Sequence, residues 1–136
     1  MLSDKQTLQL ASDLVHRIAP KLPPGFETRS VDGEVSIESE GSKTVVDFKD
    51  IVQQPGSPQI HVERAIDGVL SAIQDFVVQQ LREPWPLQTA EQAPGAELPM
   101  PEVAIAWPRI RLWFGSMMNP ALTFDPIDVD LGEEDP

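Results

Sequence analysis

The stretch SPQIHVERAIDGVLSAIQDFVVQQL, residues 57–81, decides the fold class. Ser57 offers an N-cap oxygen, and Pro58 takes the first helical position, where its missing N–H is no loss. Val62, Ile66, Val69, Ile73 and Phe76 then recur at alternating spacings of four and three. Ala65, Leu70, Val77 and Leu81 widen this apolar stripe. A stripe so wide suits a helix lying on a sheet or bundled with neighbours. The same spacing also suits the seam of a helix–helix dimer. Gly68 costs about 1 kcal/mol relative to alanine inside such a helix. Close approach of a strand or a second helix is expected there, with a hinge as the alternative.

Upstream, the period changes from helical to alternating. Ser3 and Gln6 have the spacing of a capping box, so a first helix is expected over 4–19, ended by Pro20. Its stripe is read as Leu8, Ala11, Leu14, Val15 and Ile18. Strands are expected over 26–31 and 34–40, joined by Asp32-Gly33, a pair suited to a type I′ hairpin turn. Gly41-Ser42 reads as a second turn. A third strand over 43–48 follows, with Ile51 and Val52 continuing its apolar signal.

Downstream, residues 84–101 carry five prolines and read as a long surface loop, with Trp85 pinned to the core. The alternation then returns. Val103, Ile105 and Trp107 make one strand, and Pro108 implies an edge or a bulge. Ile110, Leu112 and Phe114 alternate with Arg109, Arg111 and Trp113 in the next. Residues 115–120 form a turn, 121–124 a returning strand, and Ile127, Val129 and Leu131 a last short one. Residues 132–136 form an acidic tail expected to fray.

The expected order is α-β-β-β-α-loop-β-β. Antiparallel hairpins with helices on one face give a two-layer α+β domain, here with a sheet of about five strands. A chain of 136 residues suits one domain spanning 1–136.

The formal net charge is −12, and it is unevenly spread. Residues 1–82 hold 8 Lys/Arg against 12 Asp/Glu, and residues 83–136 hold 2 against 10. An acidic chain repels phosphate backbones and anionic membrane surfaces, so neither nucleic acid nor membrane is expected as a partner. A basic protein partner is compatible. The absence of cysteine excludes disulfides, thiolate catalysis and Cys-ligated zinc. Met1-Leu2-Ser3-Asp4-Lys5 lacks the basic start and apolar run of a signal peptide, and no apolar stretch approaches the roughly 20 residues of a membrane span. The cytoplasm is the expected location.

No catalytic motif stands out. His16 and His61 have no helical His or Cys neighbour, and Ser57 or Ser71 near His61 lacks a nucleophile elbow or oxyanion loop. Asp128-x-Asp130-x-Gly132 is too short for a calcium loop, which needs a third oxygen ligand and a glutamate at its twelfth position, and Leu131 occupies a place that should be polar. Asp125, Asp128, Asp130, Glu133, Glu134 and Asp135 therefore read first as solvated acids. Neither a metal nor a cofactor is expected.

The best interaction candidate is Arg109, Arg111 and Trp113, which alternation places on one outward face. Tryptophan and arginine are enriched in binding hot spots. These arginines are the only basic residues after position 82, and Met117 and Met118 add an adaptable apolar contact. The competing reading pairs the arginines with nearby acids and covers Trp113 with Trp85 and the loop.

This element order, with the size and acidity, resembles that of type III secretion chaperones. The resemblance implies a small, dimeric, non-enzymatic protein that binds another protein. The chain departs from that pattern in its long proline-rich loop and in having no third helix at its end. A non-enzymatic protein-binding or chaperone-like module is therefore the leading expectation. The alternative is a small ligand-binding domain or enzyme using carboxylates in a helix–sheet pocket.

Overall fold

The computed structural model describes residues 2–83, 85–86, 99–118 and 120–129. The class is α+β. Helix α1 spans Asp4–Ile18, followed by a 3-10 turn over Ala19–Lys21. Strands β1 (Glu27–Val31), β2 (Glu34–Ser39) and β3 (Ser42–Val46) form an antiparallel meander. Helices α2 (Phe48–Val52) and α3 (Pro58–Leu81) come next. Strands β4 (Pro101–Ala106), β5 (Arg109–Gly115), β6 (Pro120–Thr123) and β7 (Ile127–Asp128) form a second antiparallel sheet.

The expected single sheet of about five strands is thus corrected. Among the described residues there are two sheets, of three and four strands. Helix α3 separates them in sequence and contacts β2, β3 and β4, while α1 contacts β1, β2 and β7. One continuous core joins all three helices to both sheets.

Local signals explain most element ends. Ser3 Oγ accepts from the Gln6 backbone N–H at 3.1 Å, and the Ser3 N–H donates to Gln6 Oε1 at 2.9 Å, closing the capping box. Ser57 caps α3 by accepting from the Ile60 N–H. Asp32 and Gly33 both have positive φ, 53° and 86°, as a type I′ turn demands. Any Cβ at Gly33 would lie 2.5 Å from the Lys49 Cβ, so glycine also lets α2 dock on the hairpin. The second turn is Glu40-Gly41, one residue earlier than expected.

Three further expectations are corrected. Residues 48–52 are helical, not a continuation of a strand. Phe48 and Val52 are four apart, and both are buried when the segment coils. In α1, Leu8 is 41% exposed and Leu10 takes its place in the core beside Leu14 and Ile18. Pro108 occupies neither a bulge nor an edge strand: Trp107-Pro108 is the two-residue connection of the β4–β5 hairpin.

The α3 stripe is covered by the chain itself. Val62, Ala65, Ile66, Val69, Leu70 and Val77 are fully buried, so this stripe is core and not an open dimer seam. Gly68 does not mark a close approach, because a Cβ there would meet nothing within 4 Å. Gly68→Ala should therefore raise stability by about 1 kcal/mol, read as a higher melting temperature. A lowered melting temperature would show that the helix needs glycine there.

Candidate functional site

The alternation in β5 places its side chains as expected. Ile110, Leu112 and Phe114 are buried, Arg109 and Arg111 are exposed, and Trp113 is half-buried. The register with β4 sets Ala106 opposite Arg109, Ala104 opposite Arg111 and Glu102 opposite Trp113. Two alanines beside two arginines leave the outer face of this sheet low along β4.

The other edge of β5 is covered in two pieces. Strand β6 pairs with Trp113 through Gly115, and β7 pairs with Arg109 and Ile110. Between them the chain passes through Phe124, Asp125 and Pro126, attached by the Phe124 N–H to the Leu112 carbonyl at 3.3 Å. Two prolines near this stretch, Pro120 and Pro126, have no N–H to extend the ladder. The result is a groove of about 580 Å³ whose lining includes Arg109, Arg111, Trp113, Met117, Phe124 and Pro126. Four of the five residues singled out from sequence thus converge. The fifth, Met118, is 94% exposed beside Met117, which is itself 72% exposed.

The two arginines differ. Arg109 makes a two-pronged pair with Asp128, Nε to Oδ1 at 3.0 Å and Nη2 to Oδ2 at 3.3 Å. The hydrogen bond from Arg109 holds the Asp128 carboxyl below the usual carboxylate range. Both side chains are more than half exposed, so water screens the pair. Arg111 is also exposed, and among the described residues it makes no ion pair with any carboxylate.

Trp113 donates its indole N–H to the Gly115 carbonyl at 3.0 Å, leaving its ring to line the groove. Trp85 does not cover it. That ring packs instead edge-on against Phe114, with centroids 5.8 Å apart, on the inner face of the sheet.

The remaining candidates do not assemble. His16 is exposed near the end of α1, and His61 Nε2 lies 2.9 Å from the Pro55 carbonyl. Among the described residues no group of His, Asp or Glu has the geometry to hold a metal. None of the described buried polar residues is a carboxylate, so the α3–sheet interface presents no acidic pocket among them. Asp130, Glu133, Glu134 and Asp135 lie outside the described residues, as does most of the 84–101 segment.

Sequence reasoning missed Gln74. It is 6% exposed, and its amide donates to the Trp85 carbonyl at 3.3 Å and to the Pro99 carbonyl at 2.8 Å. One side chain of α3 thereby holds both described ends of the proline-rich segment. The only sequence signal was a glutamine beside Ile73 on the apolar side of the helix.

No described helix is long and apolar enough to cross a membrane. Comparison with family models, curated proteins and solved structures finds no match.

Proposed function

We propose that this chain is a non-enzymatic, chaperone-like protein-binding module of the cytoplasm, and that it binds its partner at the β5 groove. The observation that carries this reading is Arg111, unmatched among the described residues, beside Trp113 and Met117 in one concavity. A guanidinium fork, an aromatic face and a flexible thioether are the side chains that anchor protein contacts. The exposed Met117 and Met118 extend that apolar surface beyond the groove.

A photo-reactive benzophenone residue at position 117 should trap the partner in cells. Arg111→Glu combined with Trp113→Ala should abolish the adduct in a chain that still folds, with a lowered melting temperature because half-buried Trp113 loses its packing and its hydrogen bond to Gly115. Arg111→Glu alone serves as the second variant, since Arg111 is exposed and carries no core contact. An adduct that persists undiminished in both variants would remove the groove as the binding surface.

A further inference from the structure

Resting on the proposed function, we infer that the occupant of the β5 groove is a short segment of a partner protein carrying one glutamate or aspartate flanked by apolar side chains. The charge pattern of the groove is specific. Arg109 is already matched by Asp128, because the β7 register sets those two residues opposite each other. Arg111 falls where β6 has ended and β7 has not begun, so no ladder residue there brings it a carboxylate. On its other side the β4 neighbour is Ala104, which has no polar group to offer.

Among the described residues the groove therefore presents one unmatched cation, beside Trp113, Met117, Phe124 and Pro126. A planar guanidinium is best satisfied by a carboxylate, through two parallel charge-assisted hydrogen bonds. The walls select apolar neighbours for that carboxylate. A polyanion is disfavoured, since a chain of net charge −12 repels it and the groove neutralises only a single charge. A single carboxylate is tolerated: Asp128 is matched by Arg109, Glu102 and Asp125 lie outside the groove lining, and repulsion from acids beyond about 8 Å is screened in physiological salt.

The test is selection from a phage-displayed library of random short peptides against the full chain, followed by fluorescence anisotropy on the selected sequences. Enriched peptides should share an acidic residue between apolar ones. Changing that acid to its amide should weaken binding by about ten- to a hundredfold, the loss of one charge-assisted contact. Arg111→Glu should cause a loss of the same order with the wild-type peptide. It should also restore binding to a peptide carrying lysine in place of the acid.

Three results would overturn the inference: no enriched peptide, enrichment without an acid, or affinities indifferent to Arg111→Glu. Failure here with the position-117 adduct still lost in the groove variants removes the acidic segment and leaves the binding module standing. Failure of both removes both.

Discussion

Phe114→Ala is expected to lower the melting temperature by about 10–20 °C, the largest effect of any single truncation in the second sheet. Phe114 is fully buried on the inner face of β5. Its ring meets Trp85 edge-on at 5.8 Å and Phe124 at 6.1 Å, so it joins the proline-rich segment to the β6–β7 connection. Removing a buried phenylalanine costs about 3–5 kcal/mol, as lost transfer free energy plus the cavity left behind. Domains of this size hold about 5–15 kcal/mol in total, so the variant approaches the folding threshold. Phe114→Leu should lose less, because it refills part of the volume. Met118→Ala, at a residue 94% exposed, is the control and should leave the transition in place. Equal melting temperatures for Phe114→Ala and Met118→Ala would show that the aromatic chain contributes nothing.

The second large effect is expected at Gln74. Its amide donates to two backbone carbonyls, those of Trp85 and Pro99, in a buried setting. Gln74→Leu keeps similar bulk but strips both acceptors of their donor. A buried polar group left unpaired costs about 1–3 kcal/mol, far more than the contact's net worth when made. The melting temperature should fall, because both described ends of the segment lose their tie to α3. Gln74→Glu sharpens the sign. A carboxylate facing two carbonyl oxygens cannot donate, whereas its protonated form can, so burial and these neighbours raise its pKa in the folded state. Stability of that variant should fall as pH rises above the ordinary glutamate range towards the raised folded value. Stability of Gln74→Glu that does not change with pH, together with an unchanged melting temperature for Gln74→Leu, would remove Gln74 as a clamp.

The contrast between these residues shows what kind of information a sequence holds. Phe114 stands in a five-residue alternation with Leu112 and Ile110, so its inward direction follows from the two-residue period of a strand. Gln74 shows in the sequence only as one polar residue on the apolar side of α3. Its importance comes from carbonyls 11 and 25 residues away, which pattern reading does not connect to it. The segment 48–52 lies between these cases. Phe48, Ile51 and Val52 fit the end of a strand as well as a helical turn, and a run this short carries too few periods to separate them. Docking of Lys49 on Gly33, with the Lys49 N–H donating to the Gly33 carbonyl at 2.9 Å, accompanies the helical choice.

By itself the sequence determined the α+β class, the capped and buried α3, the Asp32-Gly33 hairpin and the outward face bearing Arg109, Arg111 and Trp113. Each of these depends on residues only a few positions apart, where backbone periodicity and turn chemistry act directly. The tertiary structure alone decided that the strands divide into two sheets and that Gln74 ties down the proline-rich segment. It also decided that Arg111, and not Arg109, is the cation of the groove left unmatched among the described residues. That last distinction is a matter of register: Asp128 falls opposite Arg109, and the break between β6 and β7 falls opposite Arg111. Pairing between strands that are distant in sequence sets which charge finds a partner, and no local pattern encodes it.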